Sequence, residues 1–193
     1  MRHIESAGIA GDVVECGVWK GGSSMPAALT LTSLGADSRN VWLFDTFAGM
    51  SRPGEFDLDP RGRRMIDRWE KRQGRIHNPV FAFGSLDEVR ANMASTGYPS
   101  ARIRFVPGEV EQTIPDQAPD EIALLRLDTD WYESTRHELE HLWPRLNPGG
   151  VLLIDDYGHW VGARKALDEY FEGRDDAPLL NRIDYSGRAA IKS

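Results

Sequence analysis

The chain has 193 residues, of which 40% are hydrophobic and 27% charged, and this composition predicts one globular domain over residues 1–193. Its formal net charge of −7 argues against nucleic acid as a partner. The absence of an apolar run of ~18 residues and of a signal-peptide pattern argues against a membrane partner. The single cysteine, Cys16, excludes an internal disulfide and favours a cytoplasmic protein.

The first third of the chain predicts two strands separated by a helix. Val13–Trp19 is an apolar run that leads into a glycine-rich turn, and Pro26 suits the first turn of the helix that follows, with Ser23 or Ser24 as its cap. A second apolar run, Val41–Phe44, ends at Asp45. This order is typical of a strand–helix–strand unit with parallel strands.

Residues 48–80 interrupt this alternation of strands and helices. The segment carries a net charge of +3, whereas the remainder of the chain carries −10. Its length and its glycine and proline content predict a lid or substrate loop, and the alternative is a solvated insertion with no role in ligand binding.

The rest of the chain continues the alternation and ends in a hairpin. The predicted elements are a serine-capped helix at Ser85–Ser95, strands at Arg102–Val106 and Glu121–Leu127, a helix at Ser134–Leu146 ended by Pro148–Gly150, a strand at Val151–Ile154, a helix at Gly162–Phe171, and an antiparallel hairpin of Leu179–Asp184 and Ala189–Lys192. Continuous apolar strands between helices indicate an α/β fold whose parallel sheet is covered on both faces. Such sheets bind ligands at the carboxyl ends of their strands.

The turn after the first strand indicates a nucleoside site. Gly17 and Gly22 fit the first and third glycines of the dinucleotide fingerprint, but Trp19 fills the second position, which must be small for a pyrophosphate. The turn therefore suits a nucleoside without a diphosphate better than NAD. Asp45, at the end of the second strand, would accept the ribose hydroxyls. The alternatives are a tight strand–helix turn and a turn-capping aspartate.

Three aspartates indicate a metal site. Asp128, Asp155 and Asp156 each follow an apolar strand, so they meet at one sheet edge if the two strands are neighbours. Carboxylates this close repel one another unless a cation or protons compensate, and hard oxygen ligands suit Mg²⁺. Asp130 follows Asp128 by two residues, so it would also be able to join them. The alternative is that Asp128 and Asp130 cap the next helix while Asp155 and Asp156 begin a turn.

Four strings carry a resemblance to a known family. VVECGVWKGGSS (13–24), LFDTF (43–47), ALLRLDTDWYESTRHELEHLWPRLNPGGVLLIDDYG (123–158) and GARKALDEYF (162–171) are similar to the macrocin O-methyltransferase family, which methylates sugars of macrolide and aminocoumarin antibiotics. The resemblance runs from about residue 12 to the end of the chain. It implies a class I methyltransferase fold with a Rossmann-like, mostly parallel seven-stranded sheet, S-adenosylmethionine as methyl donor, Mg²⁺ as activator, and a glycoside or another small hydroxyl compound as acceptor.

The resemblance also assigns residues to roles. The cofactor would be held by Glu15, Gly17, Gly22, Ser23 and Asp45. The acidic trio of residues 128, 155 and 156 would hold Mg²⁺, as the corresponding trio does in catechol O-methyltransferase. Catechol enzymes place a lysine three residues after the first ligand, whereas this chain has a tryptophan there, so the general base would be the aspartate at 128 or the one at 130.

One departure and two alternatives accompany this interpretation. Family members carry a helical segment before the first strand, and here only about eleven residues precede it, so we expect an open pocket, closure by another subunit in a homo-oligomer, or a trimmed chain. The D-x-D string Asp128–Thr129–Asp130 would also suit a metal-dependent nucleotide-sugar glycosyltransferase. The second alternative is a cofactor-binding subunit without activity of its own.

Overall fold

The computed structural model describes residues 1–71 and 83–193. The strands are β1 (Asp12–Cys16), β2 (Val41–Asp45), β3 (Ile103–Pro107), β4 (Ile122–Leu127), β5 (Leu146–Ile154), β6 (Asn181–Arg182) and β7 (Arg188–Ile191). The helices are α1 (Arg2–Ser6), α2 (Ser24–Ser33), α3 (Met65–Glu70), α4 (Leu86–Ser95), α5 (Val110–Thr113), α6 (Tyr132–Leu142) and α7 (Val161–Phe171), with a short 3-10 turn at Ser100–Arg102. None of the helices in these two ranges is long and apolar enough to cross a membrane.

One seven-stranded sheet organises the molecule, in the order β3-β2-β1-β4-β5-β7-β6. The first five strands in this order pair in parallel, and β7 pairs antiparallel with both β5 and β6. The predicted parallel sheet with an antiparallel C-terminal hairpin is therefore confirmed. All five parallel strands present their carboxyl ends at the same edge.

Helices cover both faces of the sheet, as the apolar strands require. On one face, Leu139 and Trp143 pack with Leu125 of β4 and Ile154 of β5. On the other face, side chains of α2 and α4, such as Leu31 and Met93, pack against β1 and β2. Full burial of each large side chain contributes about 1.5–3 kcal/mol, so these two layers hold the strand ends in fixed positions.

Two predicted boundaries are wrong around the fifth strand. The helix predicted at Ser134–Leu146 begins two residues earlier and ends at Leu142. Pro144 has no amide hydrogen to continue it, and Leu146 already pairs with Ile122 of β4. The glycines predicted to form a turn lie inside β5, where the amide of Gly149 donates to the carbonyl of Lys192. The strand predicted over Val13–Trp19 is also shorter and ends at Cys16.

The cap predicted for the fourth helix is confirmed. The hydroxyl oxygen of Ser85 accepts a hydrogen bond of 3.2 Å from the amide of Glu88 and thereby satisfies one free N–H of the first turn. Ser23 occupies the cap position of α2, but its side chain makes no capping hydrogen bond.

The described part of the insertion, residues 48–71, lies on the N-terminal ends of α6 and α7. Asp57 is buried there, and its carboxylate accepts hydrogen bonds of 2.8 Å from the amide of Tyr132 and 2.7 Å from that of Gly54. The carbonyl of Leu58 accepts from the amide of Val161. These bonds fix the start of the insertion beside the carboxyl edge of the sheet. Residues 72–80 of the predicted lid lie outside the described residues.

Candidate active site

A cavity of about 260 Å³ opens at the carboxyl edge of the sheet. Its walls come from the ends of β1, β2, β4 and β5 and from residues 108–111 after β3. Six of the predicted site residues line it, namely Gly17, Asp45, Asp128, Asp130, Asp155 and Asp156. The fold thus brings together the cofactor turn and the acidic residues, which are more than 100 positions apart in the sequence.

Only one of the two fingerprint glycines is constrained by close packing. Gly17 has a φ of 81°, and a Cβ at this position would lie 2.0 Å from the backbone oxygen of Asp128. Gly17 therefore lets β1 approach the residue after β4 as well as the cavity. Gly22 is exposed and does not line the cavity, and a Cβ there would have nothing within 4 Å.

Asp45 holds the glycine turn in place. Its Oδ2 atom accepts hydrogen bonds from the amides of Val18, at 2.7 Å, and Trp19, at 2.9 Å, while Oδ1 accepts one of 2.7 Å from the amide of Phe47. Asp45 thus has the turn-capping role that the sequence offered as the alternative to ribose binding. Because the carboxylate also lines the cavity and retains acceptor capacity, this role is compatible with binding a ribose.

Glu15 and Ser23 lie at a second cavity of about 430 Å³, bounded by the start of α2 and by β1, β4 and β5. Glu15 is buried, and its carboxylate accepts a hydrogen bond from the hydroxyl of Ser24 and contacts the guanidinium of Arg126 at 2.7 Å. Burial raises the pKa of Glu15, and the charge of Arg126 opposes that shift. The predicted cofactor residues other than Gly22 therefore fall into two groups, one at each cavity.

The register of the sheet explains why the three metal-site aspartates meet. Leu127 of β4 pairs with Ile154 of β5, so Asp128 and Asp155 follow neighbouring strand ends. One carboxylate oxygen from each of Asp128, Asp155 and Asp156 lies within 4.8 Å of the others. Three oxygen donors in a cluster fit a hard divalent cation such as Mg²⁺.

Arg126, which the sequence analysis missed, lies beside this trio. Its Nη1 atom is 2.7 Å from Oδ2 of Asp128, and its Nη2 atom is 2.9 Å from Oδ1 of Asp155. Burial raises the pKa of Asp128 to about 8, with Asp155 and Asp156 adding to the shift and Arg126 opposing it. A charged residue in an otherwise apolar strand was the available signal for this role.

Asp130 is buried next to the trio in an unusual backbone conformation. Its φ is 70°, its amide donates to Oδ2 of Asp156 at 3.2 Å, and its own Oδ1 accepts a hydrogen bond from the indole of Trp160. Burial and the neighbouring charge of Asp128 raise the pKa of Asp130. A carboxylate with a raised pKa at a cavity wall is suited to accept a proton.

A second buried carboxyl group, also missed from the sequence, lies on α6. Within residues 1–71 and 83–193, both carboxylate oxygens of Glu138 and the hydroxyl of Thr129 are buried without a hydrogen-bond partner. Burial raises the pKa of Glu138 well above its ordinary value. The carboxyl group is therefore held in its neutral form near the acidic trio, because a buried ion without a partner is strongly disfavoured.

Comparison with curated proteins identifies relatives over nearly the whole chain. The chain is 43% identical to the 8-demethyl-8-(2,3-dimethoxy-alpha-L-rhamnosyl)-tetracenomycin-C 4'-O-methyltransferase of Streptomyces olivaceus and 34% identical to the demethyldecarbamoylnovobiocin O-methyltransferase of Streptomyces niveus, covering 97% of this chain and 68% of each relative. It is 32% identical to the mycinamicin III 3''-O-methyltransferase of Micromonospora griseorubida, covering 97% of this chain and 72% of the relative.

Solved structures agree in fold. The O-methyltransferase NovP superposes with a TM-score of 0.84 at 33% identity, over 100% of this chain and 76% of that chain. The calicheamicin methyltransferase CalS11 superposes with a TM-score of 0.73 at 22% identity, over 98% of this chain and 74% of that chain, and supports the fold alone. The predicted class I methyltransferase fold is confirmed.

The sequence profile of one family spans nearly the whole chain. The profile described as Macrocin-O-methyltransferase (TylF) matches residues 1–190. Together with the relatives, this match implies S-adenosylmethionine as methyl donor and decides for methyl transfer over the glycosyltransferase alternative for the D-x-D string. The chain is therefore an O-methyltransferase and belongs to the macrocin O-methyltransferase family.

Proposed function

We propose that this protein transfers a methyl group from S-adenosylmethionine to a sugar hydroxyl of a glycosylated natural product, with Mg²⁺ as activator. The observation that carries the proposal is the acidic trio at the wall of a cavity that also contains Gly17 and Asp45. The names of the three relatives support a glycoside acceptor, because they describe O-methyltransferases that act on tetracenomycin, novobiocin and mycinamicin compounds.

The residues divide into a cofactor group and a metal group. Asp45 would accept the ribose hydroxyls, with Gly17 at the same wall, while Glu15, Gly22 and Ser23 would serve the rest of the cofactor from the turn and the second cavity. S-adenosylmethionine supplies an electrophilic sulfonium methyl when it is bound. The trio would hold Mg²⁺, which would orient an acceptor hydroxyl and lower its pKa.

We assign the general base to Asp130 rather than to Asp128. Asp128 contacts Arg126 and belongs to the metal group, whereas Asp130 lies outside that group and is held by Trp160. The carboxylate of Asp130 would accept the proton of the acceptor hydroxyl, while the bound cofactor would supply the methyl group to that oxygen and leave as S-adenosylhomocysteine. Holding the acceptor in line with the methyl group supplies much of the rate.

We also propose a single cytoplasmic domain over residues 1–193 in which the described part of the insertion, residues 48–71, helps to cover the acceptor. The bonds that fix Asp57 and Leu58 at the helix ends support this location for residues 48–71. A homo-oligomer in which another subunit helps to close the acceptor side is compatible with the open cavities.

A methyl-transfer screen tests the proposal. The purified protein is incubated with S-adenosylmethionine and panels of glycosides, catechols and simple sugars, with Mg²⁺ or with EDTA, and S-adenosylhomocysteine is quantified. We expect turnover only when a glycoside and Mg²⁺ are both present. Turnover with catechols alone would contradict the proposal that the acceptor is a glycoside, and turnover in EDTA would contradict the proposal that Mg²⁺ is the activator. Cofactor binding without turnover on any panel would favour a subunit that needs a partner for activity.

A further inference from the structure

Arg126 lies at the boundary between the two cavities. It lines the cavity that contains Glu15 and Ser23, and it contacts Asp128 and Asp155, which line the other. Its side chain is only 15% exposed. Arg126 therefore contacts Glu15 of the predicted cofactor group and, at the same time, Asp128 and Asp155 of the predicted metal group.

The strand register places this guanidinium. Arg126 of β4 pairs with Glu15 of β1 across the sheet, and the side chain reaches toward the carboxyl edge, where Asp128 and Asp155 end their strands. A guanidinium has five donors in a rigid plane, so one arginine bonds several carboxylates at once, whereas a lysine ammonium is a single point charge.

The contacts on the cofactor side continue into the glycine turn. One carboxylate oxygen of Glu15 contacts Arg126, and the other accepts the hydroxyl hydrogen of Ser24, the first residue of α2. The path from the metal group to the start of α2 thus consists of one aspartate, one arginine, one glutamate and one serine, each in direct contact with the next.

We propose that Arg126 is a positioning residue that couples binding of the cofactor to binding of the divalent cation. The inference rests on the proposed function, because that proposal assigns Glu15 to the cofactor and the trio to the cation. A cation held by Asp128 and Asp155 fixes the two carboxylates to which the guanidinium is bonded. The fixed guanidinium in turn holds Glu15 and, through it, the start of α2, so the cofactor meets a turn that is already ordered.

The coupling is positive in this arrangement. A ligand that orders a shared network lowers the entropy cost for the second ligand, which gives cooperativity without a large structural change. Because the coupling free energy between two sites is reciprocal, Mg²⁺ raises the affinity for S-adenosylhomocysteine by the same factor by which S-adenosylhomocysteine raises the affinity for Mg²⁺. We expect a factor of about five or more, the lower end of common coupling between sites.

Calorimetric titration tests the coupling without turnover. The Kd of S-adenosylhomocysteine is measured in EDTA and in saturating Mg²⁺ for the wild type, for Arg126→Gln, and for the control Arg136→Gln, which removes an exposed arginine paired with Glu140 on α6. We expect at least fivefold coupling in the wild type and in the control, and less than twofold in Arg126→Gln. Titrations of Mg²⁺ with and without S-adenosylhomocysteine should give the same factors.

The outcomes separate the inference from the proposed function. A wild type that does not bind S-adenosylhomocysteine or does not bind Mg²⁺ contradicts both. A wild type that binds the two ligands independently, or a folded Arg126→Gln that keeps the full factor, overturns the inference and leaves the proposed function intact. If Arg126→Gln does not fold, Arg126→Lys decides: it keeps the charge but not the bridging geometry, so its coupling should fall below half of the wild-type factor, and full coupling in this variant would overturn the inference.

Discussion

Trp160 donates its indole N–H to Oδ1 of Asp130 and thereby joins the loop after β5 to the loop after β4. The bond fixes a carboxylate whose backbone is in the left-handed region, with a φ of 70°, a conformation that is costly for a residue other than glycine. Strain that the surrounding structure enforces is common at active sites. This geometry supports the assignment of proton transfer to Asp130.

Replacing the base and replacing a metal ligand should have different effects. Asp130→Asn should lower kcat by about 10²-fold or more, because general-base catalysis contributes on this scale, while Mg²⁺ affinity changes little. Asp128→Asn should lower both kcat and the affinity for Mg²⁺. Steady-state kinetics with a responsive glycoside and calorimetric titration of Mg²⁺ give the two readouts. A large loss of Mg²⁺ affinity in Asp130→Asn, or an unchanged kcat, would remove Asp130 from the role of base.

Asp45→Asn should weaken cofactor binding. Two amides, those of Val18 and Trp19, share Oδ2, and Phe47 uses Oδ1, so an amide side chain would direct an N–H group against at least one of these donors. We expect the Kd of S-adenosylhomocysteine to rise at least tenfold and the melting temperature of the free protein to fall. The matched control is Asp37→Asn, at an exposed position. Wild-type affinity in Asp45→Asn would show that this carboxylate serves the turn alone.

Asp57→Ala should destabilise the protein. The variant leaves the amides of Tyr132 and Gly54 without their carboxylate acceptor. Losing this partner costs about 1–3 kcal/mol at the buried amide of Tyr132, whereas Gly54 is exposed and its amide can bond water instead. The free energy of unfolding from urea titration is the measurement, with Asp67→Ala as an exposed control in the same segment. If residues 48–71 help to cover the acceptor, the KM for the acceptor should also rise while the Kd of S-adenosylhomocysteine stays unchanged. Equal weakening of both ligands would indicate a purely structural segment.

Glu138→Gln should change how stability depends on pH. The folded protein keeps Glu138 protonated above the ordinary pKa of 4.5, whereas the unfolded chain loses that proton. The folded state therefore binds more protons, and this group makes stability fall as pH rises above about 4.5. Glutamine does not titrate, so it removes this effect. Above pH 4.5, the free energy of unfolding of the variant should therefore rise relative to that of the wild type by about 1.4 kcal/mol per pH unit, until Glu138 ionises in the folded protein.

Urea unfolding at pH 5, 6 and 7 measures this difference. The control is Glu140→Gln, which removes a carboxylate from an exposed position on the same helix. Parallel stability curves for the wild type and Glu138→Gln would mean that Glu138 is ionised in the folded protein.

The sequence predicted the placement of the acidic residues because that placement follows from topology. Asp128 and Asp155 each end an apolar strand, and parallel strands share one carboxyl edge. The choice of side-chain partners could not be predicted in this way. Arg126 and Glu15 lie in register on neighbouring strands, and Glu138 is buried on a helix whose pattern shows mainly its apolar stripe. The helix end at Leu142 was also missed, because pairing of Leu146 with β4 overrode a continuing helical pattern.

Calorimetric titration of Mg²⁺ into the protein saturated with S-adenosylhomocysteine shows directly whether the acidic trio binds the metal, since this measurement needs no acceptor. We expect one Mg²⁺ per chain in the wild type and at least tenfold weaker binding in Asp155→Asn and in Asp156→Asn. The control Asp175→Asn, at an exposed position after α7, should bind as the wild type does. Absence of Mg²⁺ binding in the wild type, or unchanged binding in Asp155→Asn, would contradict the assignment of the trio as the metal site.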